Sequence, residues 1–106
     1  VYIIIYSIVI SNENTFYAPT AFSPDNDGIN DMFLVYGNGI DKRHFNLRIY
    51  DRWGSVIFET DDIDKGWDGR VNGNKTVKTG TYTWLVTYRD FSGVEHQETG
   101  PVTIIK

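Results

Sequence analysis

The part of the sequence best suited to chemistry is a dense group of acidic and carboxamide side chains. Five of them lie in seven residues around Gly28: Asp25, Asn26, Asp27, Asn30 and Asp31. Carboxylates this close repel one another unless a cation or several backbone N–H groups stabilise their charge. A hard cation that takes oxygen ligands, such as calcium, would meet that need.

This loop is not an EF-hand, whose pattern is D-x-[DN]-x-[DN]-G-x5-E. Aligning Gly28 with the glycine of that pattern places Ser23 at the first ligand position and Leu34 where a bidentate glutamate belongs. Two interpretations stay open. In the first, Asp and Asn side chains bond their own backbone in a turn and Gly28 adopts a positive φ. In the second, calcium is bound by oxygen ligands from Asp25, Asp27, Asn30 and Asp31.

The rest of the chain offers no catalytic or nucleic-acid-binding pattern. It contains no cysteine, and its two histidines, His44 and His96, are expected to be exposed in a turn and on the outward face of a strand. The net charge is −4, and the ten Lys and Arg residues form no basic run, which argues against a nucleic-acid partner. No glycine-rich segment precedes a helix, so no phosphate-binding loop is predicted. We therefore expect a protein without enzymatic activity.

Short extended segments predict the fold. At 106 residues, 41% of them hydrophobic, the chain is expected to form one domain around a single core. Phe45, Leu47 and Ile49 alternate with polar residues, as in a half-buried strand. No helical period occurs, so an all-β antiparallel sandwich of seven or eight strands is predicted. The expected strands are 1–10, 15–22, 32–36, 45–50, 55–59, 81–89, 94–98 and 102–105.

The first ten residues form a continuous apolar run. A membrane-spanning helix needs roughly 20 such residues, and neither a basic region before the run nor a cleavage site after it suggests a signal peptide. The run is therefore predicted to be a strand, and no transmembrane segment is expected. Since the sequence starts without methionine, we expect a fragment of a longer polypeptide, in which residues 1–16 open the domain or join it to an upstream one.

Between Thr60 and Thr79 the periodicity disappears, which predicts a long loop rich in Gly, Asn and Asp. Trp67 is the one aromatic residue of this loop. We predict that it pins the loop to the core, with stacking on a ligand as the alternative.

Five segments in order resemble the gliding-motility-associated C-terminal domain, the type B sorting domain of the Bacteroidetes type IX secretion system. They are AFSPDNDGINDMF, FNLRIYDRWGSVIFET, GWDG, TGTYTWLVTYRDFSG and GPVTIIK. The resemblance covers residues 17–106 and departs from the family at Lys78-Thr79, where proline and glycine are common. It implies an immunoglobulin-like sandwich at the C-terminus of a large exported protein, with cargo upstream in the same chain.

The resemblance also implies which proteins recognise the domain. A component of the type IX machinery and a dedicated outer-membrane partner protein would recognise it, and its cargo would be secreted or kept at the cell surface. The expected recognition surface consists of Asp25, Asp27, Asp31, Arg52, Trp53, Gly54 and Lys106. Structural roles are expected for Gly28, Phe33, Trp67, Gly69, Tyr82 and Trp84.

Three alternatives accompany these expectations. Arg52 would serve equally well as the partner of an aspartate within the fold. The three tryptophans and seven tyrosines also suit a carbohydrate-binding module, for which exposed, coplanar tryptophans are the diagnostic feature. An adhesion-type spacer of a longer surface protein is the third interpretation.

The terminal strand offers unpaired backbone groups to which a partner could add a strand.

Overall fold

A computed structural model describes the backbone of residues 6–11, 14–24, 31–71 and 75–105, and side chains within these ranges except those of residues 6–11, 14, 15 and 75. The regular elements of these residues are all β-strands. They are β1 (Tyr6–Ser11), β2 (Asn14–Pro19), β3 (Ala21–Phe22), β4 (Tyr36–Asn38), β5 (Ile40–Tyr50), β6 (Val56–Thr60), β7 (Arg70–Val71), β8 (Lys75–Thr76), β9 (Gly80–Asp90) and β10 (Glu95–Ile104).

The strands form two main sheets that pack face to face. One has three strands in the order β1-β2-β4, and the other has five in the order β3-β10-β9-β5-β6, while β7 and β8 form a separate ribbon. All pairs are antiparallel except β3 with β10, which is parallel. This all-β sandwich confirms the predicted fold class, and its two main sheets contain eight strands, within the predicted number.

Side chains at alternate positions of the long strands build the core. Phe16 of β2 reaches across from the three-stranded sheet, its ring centroid 5.5 Å from that of Trp84 and 6.2 Å from that of Tyr88 on β9. Apolar contact between the two sheets is the main force that holds such a sandwich together. The buried residues of β5 and β9 are those the alternation predicts: Phe45, Leu47, Ile49, Trp84, Val86 and Tyr88.

Two of the expected strands, 1–10 and 15–22, correspond only in part to the described strands. The opening strand is present from Tyr6, and residues 1–5 lie outside the described residues. The segment expected as one strand, 15–22, is two strands in different sheets, because the chain crosses from the first sheet to the second at Thr20. Pro19 ends β2 at the crossing, where its missing N–H costs no ladder hydrogen bond.

The strand expected at 32–36 is wrong for most of its length. Phe33 forms only an isolated bridge with Trp67, and β4 begins at Tyr36. Local periodicity could not reveal this bridge because its partner lies far along the chain. The break expected at Gly100-Pro101 is also wrong, since β10 runs through both residues.

Gly100 makes room for the largest side chain of β9. It lies opposite Trp84 in the register, and a Cβ at this position would be 2.8 Å from the indole Cζ2 and 3.0 Å from Cε2. The neighbouring Thr99 hydroxyl donates a hydrogen bond to the Trp84 carbonyl oxygen at 2.8 Å. The indole therefore lies directly over the glycine, and a side chain here would displace it.

We predict that Gly100→Ala lowers the free energy of unfolding by about 1–3 kcal/mol, the usual cost of overpacking a core. Urea denaturation measures this change. Gln97→Ala, at an exposed position of the same strand, serves as the control and should shift stability by no more than about 0.5 kcal/mol. Equal midpoints for the two variants would contradict the packing described here.

Candidate functional site

The turn that contains Arg52, Trp53 and Gly54 is fixed by one carboxylate. Asp51 Oδ1 accepts hydrogen bonds from the backbone N–H groups of Trp53 and Ser55, both at 2.9 Å. Gly54 has a φ of 83°, a conformation that glycine adopts without strain. Trp53 is nevertheless 82% exposed, so a well-ordered turn holds a large aromatic side chain in solvent.

A second turn has the same geometry. Asp90 Oδ1 accepts hydrogen bonds from the N–H groups of Ser92 at 2.9 Å and Val94 at 3.0 Å, and Gly93 has a φ of 86°. Phe91 in this turn is 76% exposed. The molecule therefore presents two exposed aromatic side chains on two turns of one design.

The two turns lie at opposite ends of the five-stranded sheet, because β5 and β9, which lead into them, are antiparallel. Sequence reasoning selected only the first turn for recognition. The spacing shared by 51–55 and 90–94, an aspartate followed three residues later by glycine, is the signal that would have indicated the second.

The Trp53 turn lies at the same end of the five-stranded sheet as the end of β3 and the end of β10. In the parallel pair, Phe22 of β3 lies opposite Ile104 of β10. A Cβ on Gly69 would be 3.2 Å from Pro24 Cγ and 3.6 Å from Ile104 Cδ1. Pro24, which follows β3, and Ile104, at the end of β10, therefore lie beside the same glycine. Tyr50, which precedes the Trp53 turn, lies opposite Thr83 near the start of β9. We call this region, with Pro24, 51–55, 78–80 and Ile105, the C-terminal end of the sandwich.

Residues 25–30 of the acidic loop, which include Asp25, Asn26, Asp27, Gly28 and Asn30, lie outside the described part of the chain. Lys106 lies outside it as well. Asp31 is described and is half-buried, just before the buried Phe33. The described ranges contain no group of three His, Cys, Asp or Glu side chains placed to hold a metal ion. Calcium binding by the loop stays a prediction.

Trp67 fastens the long loop to the core. Its backbone N–H donates to the Phe33 carbonyl oxygen at 3.0 Å, and the Phe33 N–H donates to the Trp67 carbonyl oxygen at 2.9 Å. The indole Nε1–H donates to the carbonyl oxygen of Arg70 at 3.1 Å, and its ring lies 5.4 Å from that of Phe22. With a side chain that is 0% exposed, Trp67 joins the long loop to the segment that follows the acidic loop.

Tyr82 connects this buried cluster to the surface. Its ring meets Trp67 edge-on at a centroid distance of 5.5 Å, and its hydroxyl donates a hydrogen bond to the Lys78 carbonyl oxygen at 2.7 Å. Burial raises the pKa of Tyr82, while the positive charge of Arg52 acts in the opposite direction. Tyr82 thereby holds the segment before β9 against the core.

A groove of about 440 Å³ opens beside Trp53. Four of its lining residues are apolar or aromatic and are buried or half-buried, and we call them its floor: Ile57, Val71, Val77 and Tyr82. The remaining lining residues are Asp51, Arg52, Trp53, Thr76, Lys78 and Thr81. We call this the Trp53 groove.

Arg52 and Lys78, the two cations of this groove, form no ion pair within the described residues. Other arginines do: Arg43 bonds Asp41 and Arg48 bonds Glu59, each at 3.0 Å. Hydrogen bonds from these arginines lower the pKa values of the two carboxyl groups. The pairing of Arg52 with an aspartate that we considered from the sequence is thus not found in the described part.

The two histidines differ from each other. His44 is exposed, as expected, but it lies within β5 and not in a turn. The expectation for His96 is wrong, because its side chain is only 18% exposed and its Nε2 lies 2.8 Å from Asp90 Oδ2. The imidazole stacks on Tyr88 at 5.0 Å, its register partner, so it belongs to the inward face of β10. The imidazole thereby contacts the carboxylate that fixes the Asp90 turn.

A buried aromatic core thus supports two ordered turns that carry exposed aromatic side chains. The CHU_C type IX secretion signal domain matches this chain over residues 16–104. The chain belongs to this family. The match confirms the type IX secretion signal expected from the sequence, and the family is one of secretion signals, not of enzymes.

Other comparisons add little. No curated protein matches the chain. Among solved structures, the chain is similar to CopC from Methylosinus trichosporium OB3b, with 11% sequence identity and a TM-score of 0.47 over 93% of this chain and 92% of that one. No helix in the described ranges is long and apolar enough to cross a membrane.

We predict that Trp67→Phe lowers the free energy of unfolding by about 1–3 kcal/mol, because the Arg70 carbonyl oxygen loses its buried donor and the smaller ring leaves a gap. Trp53→Phe is the matched control. As an exposed substitution, it should change stability by less than about 0.5 kcal/mol. Urea denaturation followed by circular dichroism distinguishes the two, and equal losses would contradict the anchoring role of Trp67.

Proposed function

We propose that this domain is the sorting signal of an exported protein and directs the cargo upstream of it in the same chain through the type IX secretion system. The observation that carries the proposal is the family match over residues 16–104. The finer part, a type B domain of gliding-motility type from the Bacteroidetes, rests on the five sequence segments that resemble that subgroup.

We further propose that an outer-membrane partner protein reads the C-terminal end of the sandwich and retains the cargo at the cell surface. The residues proposed to make contact are Arg52, Trp53 and Gly54, together with Asp25, Asp27, Asp31 and Lys106. The exposure of Trp53 on an ordered turn supports this choice. A pre-organised aromatic side chain gives up little conformational entropy on docking and contributes strongly when a partner covers it.

Side-chain contact is the mode of docking that we favour at the end of β10. Its last residues pair with β9 on one side and with the β3 segment on the other. The Thr103 N–H donates to the Thr20 carbonyl oxygen at 2.9 Å, and the Ile105 N–H donates to that of Phe22 at 3.0 Å. A partner strand could add here only by displacing β3, so strand addition at this point is disfavoured.

The tryptophans favour sorting over carbohydrate binding. Trp67 is 0% exposed and Trp84 is 2% exposed, and the chain has three tryptophans in all. Trp53 alone cannot provide the row of coplanar exposed tryptophans that the carbohydrate interpretation requires.

An export assay tests the proposed surface. We expect the 106-residue chain, fused to a soluble reporter, to bring the reporter outside the cell only when the type IX system is intact. The double variant Arg52→Ala, Trp53→Ala should reduce export about tenfold or more, as loss of an interface hot spot does. Asp51 and Gly54 are kept in this variant, so the turn is expected to fold.

Phe91→Ala is the control for this assay, since it removes an equally exposed aromatic from the same turn design at the opposite end. It should leave export unchanged. If the double variant is exported as well as the wild type, the proposed surface is wrong. Export that does not depend on the secretion system would overturn the sorting function itself.

Calcium binding by Asp25, Asp27, Asn30 and Asp31 has its own test. If these residues hold the ion, adding calcium raises Tm, because a ligand bound only by the folded state stabilises it. The variant Asp25→Asn, Asp27→Asn should lose that rise. Differential scanning calorimetry with calcium and with a chelator measures both, and an unchanged Tm of the wild type would favour the purely structural turn.

A further inference from the structure

We propose that the Trp53 groove binds an extended, acidic peptide segment of a partner protein. This inference rests on the proposed function, because it names the chemistry of the partner that would dock on the C-terminal end of the sandwich. It goes beyond the proposed function because it assigns the binding to one groove and names a peptide as the ligand.

Charge is the first argument. The chain carries a net charge of −4, yet both Arg52 and Lys78 line this groove, and neither forms an ion pair within the described residues. Asp51 is the one carboxylate among the lining residues that the structure describes, and its Oδ1 already accepts two backbone hydrogen bonds. The groove is therefore locally positive on an acidic protein, and an acidic ligand is the complementary one.

The floor of the groove favours a peptide over an anionic sugar. Ile57, Val71 and Val77 form it together with the Tyr82 ring, and the Tyr82 hydroxyl already donates to a backbone carbonyl. Sugar hydroxyl groups would find few partners above such a surface, and burying them without hydrogen bonds is costly. An extended peptide places alternate side chains on opposite sides, so apolar ones would contact the floor while acidic ones reach Arg52 and Lys78.

A neighbouring groove provides an internal comparison. It has a volume of about 540 Å³ and shares Ile57 with the Trp53 groove, but its charged lining residues are Glu59, Asp64 and Asp68 with a single Lys65. The two cavities are similar in size and opposite in charge balance. An acidic peptide that is attracted to the Trp53 groove should therefore avoid the neighbouring one.

Nuclear magnetic resonance titration of the ¹⁵N-labelled 106-residue chain tests this inference. The probe is a blocked octapeptide in which glutamate or aspartate alternates with leucine or valine. We expect saturable shifts of the Trp53 indole N–H and of the Val77 and Thr81 amides. The version of the peptide with glutamine and asparagine in place of the acidic residues should bind more weakly. Added salt should weaken the binding of the acidic peptide, because it screens exposed charges.

Variants show whether the groove is responsible. Arg52→Gln and Lys78→Gln should each raise the Kd about two- to fivefold, as expected for one exposed ion pair, and Trp53→Ala should raise it about tenfold. Lys65→Gln, which removes the lysine of the neighbouring groove, and Phe91→Ala are the matched controls and should have no effect.

The inference is overturned if the acidic peptide causes no saturable shifts, or if Lys65→Gln weakens binding as much as Lys78→Gln does. It is also overturned if an oligogalacturonate shifts the Trp53 groove resonances and the peptide does not, since the site would then favour an anionic sugar. The export assay is independent. If Arg52→Ala, Trp53→Ala blocks export but the peptide does not bind, the docking surface stands and the acidic-peptide inference falls.

Discussion

The burial of Trp67 is the contact on which the C-terminal end of the sandwich depends. Its indole contacts Phe22 at the end of β3 and Tyr82 near the start of β9, and its backbone is bridged to Phe33. Elements that are distant in the chain thus meet at one side chain. Because residues 31–35 and 61–69 contain no strand, the Phe33–Trp67 bridge and aromatic packing are what hold these two segments on the sandwich.

The surface features depend on this core in different ways. The Asp51 and Asp90 turns are ordered by local hydrogen bonds to one carboxylate each, and would keep their shape on any hairpin. The Trp53 groove is not local, since it needs β6, the β7–β8 ribbon and the start of β9 to lie together. The Tyr82 ring belongs to both the core and the floor of the groove, and so links the two.

Local patterns in the sequence were enough to predict the sandwich, because alternation along β5 and β9 reflects directly which side chains face inward. The Trp53 turn was also selected from the sequence, and the same spacing of aspartate and glycine marks the Asp90 turn. What could not be predicted depends on pairing across distance: the division of 15–22 between two sheets, the bridge from Phe33 to Trp67, and the inward position of His96. The groove was missed for the same reason, since Arg52 and Lys78 are neighbours only in the folded chain.

The position of β10 within its sheet has a consequence for the order in which the domain can be made. This strand, the last of the described strands, lies between β3 and β9 and contributes the buried Val102 and Ile104. When a ribosome has synthesised the chain only as far as Gly93, the Trp84 indole has no Gly100 to cover, and β3 has no strand to join. The sandwich can therefore be completed only after β10 has emerged, and we expect the domain to fold as a unit at that stage.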